Sequence, residues 1–210
     1  MSTASRLASR LRPLSGERPL VLAVAPRSLR LAAAIAEALD GELDLALVAG
    51  LCSPCQAGST IGAVDESGLI VADDCARDFP GDWLRYEAAR QCEHLHERRR
   101  RLAPGSRPAD ACGRTVIVVD DDERVLAMAL RLLRHRHPAR LIAALPASPV
   151  LRLAELEALA DQVVCLSVSH RSDRPAPSSA TSRSRPTRRR RAAARDAPRR
   201  SPAPAPAARR

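Results

Sequence analysis

A chain of 210 residues with a 45 % apolar share is long enough to bury one sizeable core and too short for two full domains of ordinary size. Its longest runs free of polar side chains, such as residues 20–26, fall far short of the roughly 20 residues that a membrane-spanning helix needs. The net charge of +10 is uneven: residues 171–210 hold 13 Arg against Asp173 and Asp196, which is +11, and the first 170 residues come to −1. The net basicity therefore belongs to the tail, and with Phe79, Trp83 and Tyr86 as its only aromatic residues the body is not expected to offer a base-stacking platform.

The first 19 residues are rich in Arg and Ser, with no acid before Glu17. Leu7, Leu11 and Leu14 fit an amphipathic helix, and the composition also fits a transit peptide, so residues 1–17 are read as an N-terminal helix or flexible lead. Residues 20–25 read as a fully buried strand, 28–39 as a helix stopped by Asp40-Gly41, and 43–48 as a second strand. Such a βαβ order implies a parallel sheet with covered faces. Residues 49–60, rich in Gly, Ser, Pro and Cys, read as a loop, and 61–64 with 69–72 as a hairpin around Asp65-Glu66-Ser67-Gly68.

A helix is expected over residues 82–102, where Leu84, Ala88, Leu95 and Leu102 form a partial apolar stripe and Arg98 to Arg101 load the C-terminal end with cations that suit the helix dipole. After a break at residues 104–113, the strongest strand runs over 115–119 and ends in Asp120-Asp121-Asp122, followed by a helix to about residue 136. A strand over 141–145, a helix over 148–159 with Ser148 as N-cap and Pro149 at its first position, and a strand over 163–166 complete the body. The fold class is α/β, a mostly parallel sheet with a small hairpin flap over residues 18–168. Residues 169–210, rich in Arg, Pro, Ala and Ser, are expected to be a disordered tail. Within them, 171–210 could contact nucleic acid or another polyanion without sequence preference and with steep salt dependence.

Three stretches carry a family likeness: Leu20-Val21-Leu22-Ala23-Val24 leading into an Ala-rich helix, Ile61-Gly62-Ala63-Val64 opening a hairpin, and Gly113-Arg114-Thr115-Val116-Ile117-Val118-Val119-Asp120-Asp121. Arg98 to Arg101, just before that last strand, is a weaker fourth element. Over roughly residues 20–166 the sequence resembles the type I phosphoribosyltransferases, most closely a bacterial group of poorly known substrate. The resemblance implies transfer of ribosyl 5-phosphate from phosphoribosyl pyrophosphate to a nitrogenous base with Mg²⁺, a place in nucleotide metabolism, and a degenerate substrate site at Asp120, Asp121, Asp122, Glu123 and Arg124. Asp120 and Asp121 stand where carboxylates hold the ribose hydroxyls, and the backbone amides that follow stand where the 5-phosphate is held, a division that suits carboxylate acceptors and a helix N-terminus.

Departures from the family run in one direction. After Asp121 a loop of Gly, Thr and small residues is replaced by Asp122-Glu123-Arg124-Val125-Leu126-Ala127, which offers no Gly for close backbone approach and adds two acids that repel phosphate. Arg124 compensates in part. Pro26-Arg27-Ser28 stands in place of an Arg-Gly pair, Ala49-Gly50 in place of the cations that meet pyrophosphate, and residues 167–173 in place of an aromatic base lid. The resemblance thus implies weak or lost activity, and neither a catalytic residue nor a metal ligand is assigned. The alternative is a non-catalytic binding or regulatory protein acting through its Arg-rich tail.

A rival for the acid pair is the response-regulator receiver, but Leu166 occupies the place of its phospho-accepting Asp. Cys52-Ser53-Pro54-Cys55 has the spacing of a zinc half-site or redox pair, and a full zinc site would draw on Cys92 with His94 or His96. These are read instead as ordinary thiols and solvated histidines. Free thiols at all six cysteines fit a reducing cytoplasm. His135 and His137 read as caps at a helix end.

Overall fold

A computed structural model describes residues 2–53, 55 and 59–169. Its first half runs α1 (Thr3–Leu11), β1 (Leu20–Ala23), α2 (Leu29–Leu39), β2 (Glu42–Leu45), β3 (Val48–Cys52), β4 (Thr60–Asp65) and β5 (Ile70–Ala72). The second half runs α3 (Gly81–Leu102), β6 (Thr115–Val119), α4 (Glu123–Arg134), β7 (Arg140–Pro149), α5 (Val150–Leu159) and β8 (Gln162–Ser169).

The α/β class holds: five strands form a parallel sheet in the order β2-β1-β6-β7-β8, and β3-β4-β5 form a small antiparallel sheet. The central strands read as unbroken apolar runs because both of their faces are covered. On one face Leu7 and Leu11 of α1 and Ile35 and Leu39 of α2 share a core with Val21, Ala23, Ile117 and Val119. On the other, Leu126 and Leu130 of α4, Leu156 of α5 and Ala63 of β4 share a core with Leu20, Leu22, Val116 and Val118. A third cluster of Leu51, Val64 and Ala88 seats α3 on the antiparallel sheet.

Residues 1–17, read as a helix or a flexible lead, hold a helix, α1, with Leu7, Leu11 and Leu14 buried and Arg10 donating to the Cys165 carbonyl at 2.7 Å. Other expectations need correction. The single strand expected over 43–48 is two, because the chain leaves the parallel sheet after Leu45 and starts β3 at Val48, so residues 49–52 are strand and not loop. Apolar periodicity cannot mark such a change of sheet. Ser148 is not an N-cap. It lies inside β7, which pairs with β8 as far as Pro149↔Ser169, and its buried hydroxyl donates to the Pro149 carbonyl at 3.2 Å. Of the tail expected to be disordered from residue 169, Ser169 is the last residue of β8, and residues 170–210 lie outside the described residues.

The turn from α2 into β2 fixes the edge of the sheet. Asp40 takes a left-handed φ of 51° and the Gly41 amide donates to the Ala36 carbonyl at 2.9 Å, closing the helix. A Cβ at Gly41 would sit 2.5 Å from the Pro19 carbonyl oxygen, the atom that accepts from the Glu42 amide at 3.0 Å. Gly41→Ala is therefore expected to cost about 1–3 kcal/mol as the β1–β2 edge shifts. Urea unfolding would show this as a lower midpoint with an unchanged slope.

Candidate functional site

The strand order places a topological switch point between β1 and β6: the chain continues from β1 to β2 on one side, and from β6 to β7 on the other. In open α/β sheets the crevice for ligands lies at such a point, beyond the carboxyl ends of the strands. Here β1 feeds a short 3-10 turn, Pro26–Ser28, and β6 feeds Asp120-Asp121-Asp122 before α4. The two loops meet.

Asp120 is fully buried. Its Oδ1 accepts from the amides of Asp121 at 2.8 Å and Asp122 at 2.9 Å, and the Ser28 hydroxyl lies 3.5 Å from its Oδ2. Burial is the main cause that pushes its carboxyl up from the ordinary 3.8 to about 6, with the amide hydrogen bonds pulling the other way. Over this acid lies Arg27. Its guanidinium hydrogen-bonds Asp121 and sits 3.4 Å from Asp122 Oδ2 and 3.6 Å from Asp120 Oδ1. Burial opposes that charge, but Asp121 foremost, then Asp120 and Asp122, hold the guanidinium above its ordinary value. Asp122 in turn caps α4, its Oδ1 accepting from the amides of Arg124 at 3.0 Å and Val125 at 3.4 Å.

Comparison with known proteins bears on what this crevice is. No family model matches the chain. Over 167 residues, 77 % of its length, it is 30 % identical to a Mycobacterium tuberculosis protein that carries the provisional name phosphoribosyl transferase in both the CDC 1551 / Oshkosh and H37Rv strains. The chain belongs to the phosphoribosyltransferase-domain proteins. It spans 38 % of the length of those curated relatives. The fold is also similar to the crystal structure of TT1426 from Thermus thermophilus, with a TM-score of 0.70 and 34 % identity over 83 % of this chain and 84 % of that one.

Within this phosphoribosyltransferase domain, the structure brings Asp120, Asp121 and Asp122 together and leaves two expected residues apart. Glu123 and Arg124 lie in the first turn of α4, and neither makes an ion pair among the described residues. Arg27, noted in the sequence only as part of an altered Arg-Gly position, is a member of the site. It lies in the turn that follows β1, the strand beside the acid-bearing β6.

The remaining candidates have other roles. Cys92 and His96 do share a face of α3, but that face meets the β4–β5 turn: the Cys92 thiol donates to the Asp65 carbonyl at 3.3 Å, and His96 Nε2 lies 2.6 Å from the Glu66 carbonyl oxygen. Burial, then the charge of Asp65, raises the Cys92 thiol above its ordinary value. Among Arg98 to Arg101, Arg99 is not a surface cation. It is buried, and its five donors go to Glu66 (2.6 and 2.7 Å), Asp44 (2.9 Å), the Leu45 carbonyl (2.7 Å) and the Ser106 hydroxyl (3.4 Å). Together these contacts lock α3 to β2 and to the hairpin turn.

Proposed function

We propose that the crevice between β1 and β6 binds phosphoribosyl pyrophosphate, with the ribose hydroxyls on Asp120 and Asp121, and that transfer of its ribosyl phosphate to a nitrogenous base is weak or lost. In that reaction the C1–oxygen bond to pyrophosphate breaks as a C1–nitrogen bond forms, and pyrophosphate leaves with the bonding electrons. The observation that carries this reading is the Asp122 carboxylate on the Arg124 and Val125 amides. A working cradle presents such amides to the 5-phosphate. Here an internal anion already occupies them, and displacing that cap costs about 1 kcal/mol before Asp122 and Glu123 repel the incoming phosphate.

Arg27 adds to the same occupied state, since its one charge partly offsets the three acids at the proposed ribose position. Mg²⁺ is the proposed cofactor and would arrive on the pyrophosphate oxygens. Among the described residues no three carboxylate, His or Cys side chains are grouped to hold a metal, so the substrate supplies most of its ligands.

The test is titration calorimetry of the full chain with phosphoribosyl pyrophosphate, with and without Mg²⁺. We expect Mg²⁺-dependent binding that falls at least tenfold, or about 1.4 kcal/mol, in the Asp120→Asn, Asp121→Asn variant. The Arg-rich segment 171–210 is unchanged in that variant, so its electrostatics cannot imitate the difference. Equal heats in both proteins would remove the assignment. No heat in either would favour the second reading, a domain that keeps the fold without its chemistry and works by binding a partner.

A further inference from the structure

We propose that a second cleft, separate from the acid cluster, binds a small organic anion with an apolar body and one acidic head group. The cleft has a volume of about 680 Å³, inside the range of about 300–1,000 Å³ usual for small-molecule sites. It lies between the β2–β3 connection, the hairpin turn, the C-terminal half of α3, the loop at 103–111 and the end of α4. None of Arg27, Asp120, Asp121 or Asp122 lines it.

Its floor is apolar, built from Leu22, Leu47, Val48, Ala111 and Leu132. Two of its walls are closed ion-pair networks, the first with one carboxylate in excess of its guanidinium and the second neutral. On one, Arg99 is bound to Glu66 and Asp44, with all five donors used. On the other, Arg136 is paired with Asp65, whose second oxygen accepts from the Ser67 amide and hydroxyl and the Leu69 amide. Those hydrogen bonds together hold the Asp65 carboxyl below its ordinary value despite burial, so the pair stays charged and closed.

The rim differs. Arg100 and Arg107 are exposed, line the cleft, and make no ion pair among the described residues. The neighbouring Asp110 gives one carboxylate oxygen to the Cys112 amide at 3.0 Å. A ligand that buries a hydrocarbon or ring on the leucine floor would therefore meet two uncommitted guanidinium groups at the mouth, where a carboxylate or phosphate is favoured and a neutral head gains little. Such a pairing of an apolar wall with a few convergent polar groups is the usual make-up of a small-molecule pocket.

The experiment uses the full chain and two probes of the same length, decanoate and decanol, below their aggregation limits. Binding is followed by calorimetry and by the amide resonances of Gly105, Ala109 and Ala111. We expect saturable binding of decanoate, at least tenfold weaker binding of decanol, and at least a tenfold loss for decanoate in Arg100→Glu, Arg107→Glu. Both positions are exposed, so that variant keeps its fold and the full Arg-rich segment at 171–210. Ala111→Trp, which fills the floor, should abolish binding of either probe. Absence of saturable decanoate binding, equal affinity for decanol, or an unchanged charge-reversed variant would each overturn the proposal.

Discussion

Arg99→Ala is expected to destabilise the protein by about 3–5 kcal/mol, the cost of breaking a buried ion pair from one side. The Arg99 side chain is 7 % exposed, and its partners Asp44 and Glu66 are 11 % and 9 % exposed. Truncation would leave two carboxylates and the Leu45 carbonyl without the donors that offset their desolvation. Arg99→Lys should recover little, because one ammonium cannot span a bidentate carboxylate, a second acid and a carbonyl at once. Removing the charges together, as Arg99→Met with Asp44→Asn and Glu66→Gln, should recover much of the loss. Urea midpoints at pH 7 measure all three. A loss no larger than the ~1 kcal/mol of an exposed pair would show that water reaches the network.

That network shows where the sequence is legible and where it misleads. The apolar stripe on α3 through Ala88, Leu95 and Leu102 is visible in the sequence, yet Arg99 stands four residues after Leu95 and three before Leu102, on that same stripe. Helical spacing alone therefore marks it as inward-facing, but its three arginine neighbours make a solvated run the natural reading. Its partners Asp44 and Glu66 lie on elements distant in sequence, and no local pattern announces them. Buried charge is legible only once the fold brings the counter-charges together.

The parallel sheet is legible for a different reason. Thr115–Val119 lies between two other strands and is covered on both faces, so nearly every residue carries the same message and its bounds agree with the sequence reading. The β2–β3 break and Ser148 escape that reading because both depend on which neighbour a strand pairs with. Sequence gives a strand its period and not its partner. At the acid cluster, the Asp triplet and helix start are plain, and the cap at Asp122 follows from residue type alone. What cannot be read is that Arg27, from 93 positions earlier than Asp120, closes over all three acids.

Asp120→Asn is expected to stabilise the folded protein at neutral pH, by on the order of 2–3 kcal/mol. Burial raises the Asp120 carboxyl from 3.8 to about 6, so between those values the folded chain holds a proton that the unfolded chain has released. Stability therefore falls as pH rises through this window. The contribution of the protonated acid is fully present below about pH 4 and is lost above about pH 6. Roughly two pH units at 1.36 kcal/mol each set this figure, in which the attraction to half-exposed Arg27 is already offset against burial. Asparagine keeps an oxygen for the amides of Asp121 and Asp122, now 2.8 and 2.9 Å away, so the loop has no reason to move. Denaturation curves from pH 4 to 8 should show the two proteins converge at the acid end and separate toward neutrality. An asparagine variant less stable than the parent at pH 7 would mean that Arg27 outweighs burial and that the acid is kept for its ion pair. The expected gain means that the chain retains a buried charge that its fold would be more stable without, which is the pattern of a residue held for binding.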